Sequence, residues 1–327
     1  MLYAFDGTWS HDCSSPHQWT NVCRLAKACH PGQVEYYAGT GNPLECKGLS
    51  AGRSVDHAAG AATILDDALR DFAQHWRAGH RTVDVIGFSR GGIIALAFLN
   101  KLRDWARLRG ERDLRLRFVG LFDAVDAIGA PDHDWDFWYE KTLPAGVESA
   151  MHAVAIHETR HTYPVHDVHG AVQQAFPGSH CDIGGGWSST GLSDVVLEWM
   201  YRAAEKAGVE FLIKLEELHL KPEAGMLPHR ALDERCRHRP RTLPEGTLMP
   251  ASYLWPILRE EAPTRGRMRP PSFKRPPLGW AFSDENAFTK PSPLDLEEDL
   301  IVLDDDSEDV KQRKRGDSER LAKAVGK

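Results

Sequence analysis

A pentapeptide in the N-terminal half of the chain has the pattern that holds a nucleophilic serine in a tight turn. It reads Gly-Phe-Ser-Arg-Gly at residues 87–91, between an apolar run at 83–86 and a helix-like apolar stretch. In such a GxSxG turn the serine backbone is strained, and the glycines remove side chains that would clash. Free N–H groups at the helix N-terminus then point at the reacting centre. Ser89 is therefore the candidate nucleophile, and the alternative is a glycine-rich turn that only packs.

A serine nucleophile needs a base to take its proton and an acid to orient that base. In the α/β proteins that use the GxSxG turn, the chain order is serine, acid, histidine. The next apolar run, at 116–122, leads directly into Asp123. Because the carboxyl ends of parallel strands lie at one edge of a sheet, Asp123 is the leading candidate acid. Asp126 is the second candidate.

The candidate base must follow the acid along the chain, and the sequence contains 16 histidines. His180 lies in an irregular, glycine-rich stretch at 177–187, after Asp123 and before a helix-like segment. That position favours His180 as the base. His166 and His169 are the alternatives.

Ester hydrolysis through a serine also needs two backbone N–H donors for the oxyanion. One donor is expected from Arg90, the residue after the candidate nucleophile. The other is expected from Gly7 or Thr8 in the loop after the first apolar run, because glycine lets a backbone approach a ligand closely. Asp6 in that loop and Asp182 near the candidate base are candidates for supporting roles.

A second group of potentially catalytic residues is His-Glu-Thr-Arg-His at 157–161, which matches the HExxH pattern of zinc proteases. That chemistry needs both histidines on one face of a helix and Glu158 as the general base. Pro164 disfavours a helix here, so a strand that leads into a polar loop is the preferred interpretation.

An aromatic and acidic stretch follows the candidate acid and contains Trp135 and Trp138. The two tryptophans could form a wall of the substrate pocket or part of a lid. They could equally anchor their own loop by burying their rings.

The elements that must position these residues follow from the apolar pattern. Four runs have the length and composition of buried parallel strands: Leu2–Phe5, Val34–Tyr37, 83–86 and 116–122. Three segments have apolar residues at helical spacing: 58–78, 93–108 and 192–207. Strands that alternate with helices predict an α/β fold with a mostly parallel sheet flanked by helices.

Composition excludes several other classes of protein. The chain has 327 residues, 42% hydrophobic and 27% charged, as expected of an ordinary globular protein. Its net charge of −7 argues against a broadly basic nucleic-acid-binding protein. No apolar run approaches the roughly 18 residues of a membrane-spanning helix, and the N-terminus does not have the pattern of a signal peptide. The six cysteines form no CxxC pair and are expected to be reduced.

The C-terminal part of the chain differs from the rest. Residues 1–220 carry the strand and helix pattern and are expected to form the catalytic domain, with one more helix or strand at 210–220. Residues 221–294 are rich in proline and arginine, which predicts an excursion packed on or beside that domain. Its arginines could meet anionic lipid head groups or pair with an acidic stretch. Residues 295–327 carry charge blocks typical of a disordered tail.

Seven short motifs, taken in order, resemble one protein family. They are DGTW at 6–9, TNV at 20–22, YAGTG at 37–41, GFSRG at 87–91, FD at 122–123, HCDIGGG at 180–186, and LSD at 192–194 with WM at 199–200. Together they resemble the catalytic domain of type VI secretion phospholipase effectors, over about residues 1–208. The resemblance implies an α/β-hydrolase fold and a triad formed by Ser89, Asp123 and His180.

The residues and the resemblance together predict a serine hydrolase that cleaves carboxylic esters of phospholipids or related acyl lipids. The open alternatives are a soluble esterase or thioesterase, a zinc metallohydrolase that uses His157 and His161, and a binding module without activity. No cofactor and no nucleic-acid partner are expected. The chain is expected to be made in the cytoplasm. The resemblance implies delivery by a type VI secretion system, with a secretion-system or immunity protein as partner.

Overall fold

The computed structural model describes residues 1–12, 16–40, 60–126, 140–223, 227–229 and 238–249. Trp135, Trp138, the tail at 295–327 and most of the Pro/Arg-rich residues 221–294 lie outside these ranges, and so do the predictions made for them. The cysteines that fall within them, Cys23, Cys29 and Cys181, are free thiols. Among the described residues, no helix is both long enough and apolar enough to cross a membrane.

Within the described ranges, six parallel strands form one sheet in the order β2-β1-β3-β4-β5-β6. The strands are β1 (Leu2–Phe5), β2 (Val34–Tyr37), β3 (Thr82–Phe88), β4 (Arg115–Phe122), β5 (Ser149–Ala155) and β6 (Val172–Phe176). The α-helices of these ranges are α1 (Asn21–Ala28), α2 (Ala61–Arg77), α3 (Arg90–Arg109), α4 (His180–Gly184) and α5 (Gly191–Lys206). The predicted α/β class, with a parallel sheet between helices, is confirmed.

Helices cover both faces of the sheet, because successive residues of a strand point to opposite faces. In β1, Leu2 and Ala4 belong to a buried cluster that includes residues of α1 and α5. Tyr3 and Phe5 belong to a second cluster on the other face, with residues of α2 and α3. The ring of Tyr3 lies 4.8 Å from that of Phe98 in α3. Burial on both faces explains why the central strands read as continuous apolar runs.

The register of the strands brings three polar residues to one edge of the sheet. Phe5 of β1 is paired with Gly87 of β3, and Phe88 of β3 is paired with Phe122 of β4. These strands therefore end side by side. The residues that follow them directly are Asp6, Ser89 and Asp123. The carboxyl edge of an open parallel sheet is the place where α/β proteins form their ligand sites.

The four predicted strands and three predicted helices are confirmed, with small shifts at their ends. The apolar pattern missed β5, β6 and α1. Strand β6 lies at the edge of the sheet and carries Gln173 and Gln174, so it does not resemble a buried strand. At 210–220, where one more helix or strand could form, the structure has a short 3₁₀ helix, Leu215–Leu218.

Residues 238–249, here called the C-terminal segment, run along the loop after β5 and then along β6. The N–H of Arg239 donates to the carbonyl of Thr159 at 2.9 Å. Farther along, the N–H of Leu248 donates to Gln173 O, and the N–H of Ala175 donates to Leu248 O, both at 2.8 Å. The described residues of the Pro/Arg-rich region thus pair with the sheet domain through backbone hydrogen bonds.

Candidate active site

Ser89 lies in a strained turn between β3 and α3. Its backbone has φ 58° and ψ −128°, a conformation that residues with side chains rarely adopt, and its side chain is buried. The N–H of Ser89 donates to Phe122 O at 3.1 Å, which fastens the turn to the end of β4. A Cβ atom on Gly87 would lie 2.7 Å from Gly92 Cα, and one on Gly91 would lie 2.4 Å from Phe5 O. The flanking glycines are therefore required by close backbone contacts on both sides of Ser89.

Asp123 and His180 are in direct contact at the same edge of the sheet. His180 Nδ1 lies 2.6 Å from Asp123 Oδ2, and both side chains are almost fully buried. An ionised carboxylate only accepts hydrogen bonds, so Nδ1 carries the proton and Nε2 does not. Asp123 has φ 40°, and its backbone N–H donates to Ala153 O at 2.7 Å. The turn after β4 thus presents the carboxylate to the first residue of α4.

The second oxygen of the Asp123 carboxylate is held from the other side. Asp123 Oδ1 accepts from the backbone N–H of Ala155 at 2.9 Å and from Arg241 Nη1 at 2.5 Å. Burial alone would raise the pKa of Asp123, but the charge of Arg241 and the hydrogen bond from His180 hold that pKa well below its usual range. Burial lowers the pKa of His180, and Asp123 opposes that effect. The resting pair is therefore an ionised carboxylate and a neutral imidazole.

Two rings pack against the imidazole of His180, and a buried acid holds its backbone. The Phe88 ring lies 4.6 Å from it between centroids, and the Tyr163 ring meets it edge-on at 5.0 Å. The backbone N–H of His180 donates to Glu158 Oε2 at 3.2 Å. Glu158 is in turn held by Arg160, whose Nε and Nη2 donate to its two oxygens at 2.9 and 2.7 Å. These contacts leave His180 little freedom to rotate.

The HExxH segment at 157–161 is not helical, so its histidines do not share a helical face. His157 Nδ1 accepts from the N–H of Gly178 at 2.9 Å, and Glu158 is bound to Arg160. No group of three potential metal ligands occurs within the described part of the chain. The segment lacks the geometry that zinc-protease chemistry needs and instead forms the loop that supports His180.

The loop after β1 lies against the serine turn. Asp6 organises it by accepting three hydrogen bonds, from Gly7 N at 2.7 Å, Thr20 Oγ1 at 2.7 Å and Tyr36 Oη at 2.6 Å. Burial raises the pKa of Asp6 to about 6 despite these donors. A Cβ atom on Gly7 would lie 2.6 Å from the ring of Phe88, the residue before Ser89. The backbone near Gly7 is thus close to the turn, where the second oxyanion donor is expected.

Asp182 caps helix α4 and has no hydrogen bond to the imidazole of His180 in the structure described. Its Oδ2 accepts from Ser179 N at 2.8 Å, and its Oδ1 lies 2.5 Å from His229 Nδ1. The carboxylate therefore fixes the N-terminus of α4, where His180 begins the helix. The supporting role of Asp182 stays a prediction, and this cap at the N-terminus of α4 is the contact through which it would act.

The alternative acid and bases lie in other environments. Both oxygens of Asp126 bind Lys141 Nζ, at 2.7 and 2.8 Å. His166 Nε2 lies 3.0 Å from Lys141 O, its Nδ1 lies 3.8 Å from Asp126 Oδ2, and His169 is exposed. Among the candidates, Asp123 and His180 are the acid and histidine within hydrogen-bond distance of each other, and Asp123 follows the strand next to the one that leads into Ser89.

Sequence reasoning missed Arg241, Glu158 and Arg160. Arg241 sits in a run of prolines and arginines whose composition predicts only a surface excursion, yet its side chain is 6% exposed. Glu158 and Arg160 stood inside the HExxH pattern, where they were considered for metal chemistry alone. A buried ion pair cannot be recognised from the local sequence, because its partners are distant along the chain.

Comparison with protein families gives a match over residues 100–203. The matching family is the catalytic domain of Tle1-like phospholipase effectors of the type VI secretion system. The matched stretch contains Asp123 and His180 and begins after Ser89. This confirms the resemblance predicted from the motifs. The central part of the chain is thus similar to the catalytic domain of a phospholipase-like hydrolase. No curated protein matches the sequence.

The solved structures that are similar to the chain include the following two. One is an uncharacterized protein from Pseudomonas aeruginosa, with 19% identity, a TM-score of 0.48, and coverage of 67% of this chain and 48% of the other. The other is the Tle1 effector bound to the VgrG spike of the type 6 secretion system, with 22% identity and a TM-score of 0.42. That match covers 57% of this chain and 50% of the effector. The chain spans about half the length of each of these proteins.

Proposed function

We propose that this protein is a serine hydrolase that cleaves carboxylic esters through Ser89, His180 and Asp123. The observation that carries the proposal is the buried 2.6 Å hydrogen bond between His180 Nδ1 and Asp123 Oδ2, at the sheet edge that also holds the strained serine turn. A histidine whose Nδ1–H is bound by a carboxylate has its Nε2 ready to accept a proton from a serine.

In the proposed reaction, Ser89 Oγ attacks the acyl carbonyl carbon while His180 Nε2 takes the serine proton. Asp123 stabilises the imidazolium that forms. The carbonyl oxygen becomes an oxyanion, and we assign its donors to the backbone N–H of Arg90 and an N–H of Gly7 or Thr8. The imidazolium then protonates the leaving alcohol, and an acyl group remains on Ser89. A water molecule, deprotonated by His180, releases the acid and restores the serine.

We further propose phospholipid as the substrate class and a type VI secretion system as the route of delivery, with a secretion-system protein as partner. The support is the family match over residues 100–203. A soluble esterase would use the same residues on a smaller ester, and assays on vesicles and on a soluble ester distinguish the two. The zinc hydrolase is not retained, because the segment at 157–161 lacks the required helix.

Covalent labelling tests the proposed nucleophile directly. A fluorophosphonate should modify one residue, Ser89, because such reagents trap a serine activated by a histidine base. Peptide mass spectrometry identifies the modified residue. A strong chelator should change neither labelling nor hydrolysis. Labelling of a different serine, or loss of activity on chelation, would contradict the proposal.

The dependence of hydrolysis on pH tests the proposed base. Burial lowers the pKa of His180, so the imidazole should stay neutral, and active, to lower pH than a free histidine. We expect the acid limb of kcat/KM to have its midpoint below about 6.5, the ordinary pKa of histidine. Tryptophan fluorescence over the same range serves as the control for unfolding. A midpoint well above that value in folded protein would count against His180.

A further inference from the structure

Arg241 of the C-terminal segment reaches the carboxylate of Asp123 from the side opposite His180. Its Nη1 donates to Asp123 Oδ1 at 2.5 Å, while His180 Nδ1 occupies Oδ2 at 2.6 Å. Each of these two side chains therefore binds a different oxygen of the carboxylate. This residue lies well outside residues 100–203, the part of the chain that matches a known family.

The guanidinium of Arg241 is held rigidly. Nη2 donates to Tyr163 O at 2.7 Å, Nε donates to the same oxygen at 3.2 Å, and Nη1 also donates to Ala155 O at 3.2 Å. The backbone hydrogen bond from Arg239 to Thr159 O fixes the segment two residues earlier. A planar group with several fixed donors is preorganised, so it positions the carboxylate that it binds.

The charge of Arg241 acts on a buried carboxylate, since the side chain of Asp123 has no exposed surface. A buried carboxylate without a cation would take up a proton, and a protonated Asp123 would no longer stabilise an imidazolium. Histidine cannot supply that cation in the resting state, because the buried His180 is neutral. Arginine keeps its charge at every working pH. Arg241 is therefore the permanent counter-ion of Asp123 in this pair.

We propose that Arg241 is a positioning residue of the active site: it keeps Asp123 ionised and aimed at His180. The C-terminal segment then completes the catalytic centre of the sheet domain. This inference rests on the proposed hydrolase function. Among the described residues, the charged and titratable groups around the pair, besides Arg241, include His152, Glu158, Arg160, Tyr163 and Cys181.

Arg241 could instead only fasten the segment to the domain, and the two roles predict different results. A fastening residue affects stability and the amount of folded enzyme. A positioning residue also changes the titration of His180. Without Arg241, the buried Asp123 takes up a proton more readily, and a neutral carboxyl no longer stabilises the imidazolium. The pKa of His180 should therefore fall.

The kinetic test compares Arg241→Ala with Arg241→Lys and with Arg239→Ala. Arg239 is the matched control, since it is two residues away in the same segment and its side chain is exposed. We expect Arg241→Ala to lower kcat by about 100-fold, as a small misplacement of catalytic groups does, with little change in KM. Arg241→Lys should keep part of the activity because it keeps the charge, and Arg239→Ala should match the parent.

Chemical rescue adds a readout that fastening would not produce. Arg241 and Tyr163 line a cavity of about 390 Å³, so truncating Arg241 leaves space continuous with an existing opening. Guanidinium chloride at low millimolar concentration should restore part of kcat in Arg241→Ala. It should not restore activity in Asp123→Asn, where the carboxylate itself is lost. Absence of rescue in folded Arg241→Ala would favour the fastening role.

The deciding measurement is the titration of His180 by NMR, with the imidazole signals assigned through a His180→Asn variant. We expect the pKa of His180 to be lower in Arg241→Ala than in the parent, and to be unchanged in Arg239→Ala. A higher pKa in Arg241→Ala would mean that Asp123 stays ionised without Arg241 and would contradict the proposal. If Arg241→Ala does not fold, Arg241→Gln removes the charge with less loss of volume and serves in its place. The same titration in the parent and in folded Arg241→Ala would overturn the proposal, even if both hydrolyse esters. A parent that cleaves no ester would refute the hydrolase function, while the titration would still report the effect of Arg241.

Discussion

Replacement of Ser89 with alanine should lower kcat for ester hydrolysis by about 10⁶-fold, the usual cost of losing a triad nucleophile. The side chain is buried at the turn between β3 and α3, so its loss removes one hydroxyl and leaves the backbone contacts intact. Rates should be measured on phospholipid vesicles and on a short soluble ester. Circular dichroism and thermal unfolding should match the parent.

Ser193→Ala is the matched control for this variant. Ser193 is also a buried serine, and its hydroxyl donates to Thr190 O at 3.0 Å in the first turn of α5. It should therefore keep parental activity. A folded Ser89→Ala protein with parental rates would refute the serine mechanism. A parent that cleaves only the soluble ester would support the esterase alternative.

Replacement of Asp123 with asparagine should lower kcat by about 10⁴-fold, because the histidine loses the acceptor that sets its tautomer and stabilises its charged form. Asp126→Asn should have a much smaller effect, since Asp126 binds Lys141 and has no hydrogen bond to His180 in the structure described. Steady-state kinetics on the soluble ester compares the two variants. The reverse ranking would mean that Asp126 is the acid.

The stability of Asp123→Asn must be measured together with its activity, because the variant leaves the buried guanidinium of Arg241 without its anion. The variant is therefore expected to unfold at a lower temperature than the parent. Activity should be compared well below that temperature, at equal concentrations of folded protein. A loss of activity that merely followed the loss of folded protein would contradict a catalytic role for Asp123.

The α/β class could be predicted from the sequence because its signals are local. An all-parallel sheet buries both faces of its strands, so β1 and β2 read as short apolar runs, and α2 and α3 read as apolar stripes. Edge strand β6 carries glutamines and lacks that signal. The serine turn is local too, because the glycines that leave room for its backbone are neighbours of Ser89 in sequence.

The candidate triad could be predicted only in outline. Asp123 follows a recognisable strand, and the carboxyl ends of parallel strands lie at one edge of the sheet. The acid could therefore be identified from its position directly after that strand. The choice of His180 among 16 histidines depended on a glycine-rich context and on the resemblance to a known family. The roles of Ser89, Asp123 and His180 stay predictions until the variants are assayed.

Tertiary structure alone decided which charges surround the candidate base. Arg241 meets Asp123 across 118 positions of sequence, and Glu158 meets the backbone of His180 across 22. The sequence shows only that these residues are charged, and a charged side chain without a partner would remain exposed to solvent. A charge enters the interior only where the fold supplies an opposite charge and hydrogen-bond donors at the right distance. The fold supplies these partners where β4, β5 and the C-terminal segment pack together. No local stretch of the sequence indicates this arrangement.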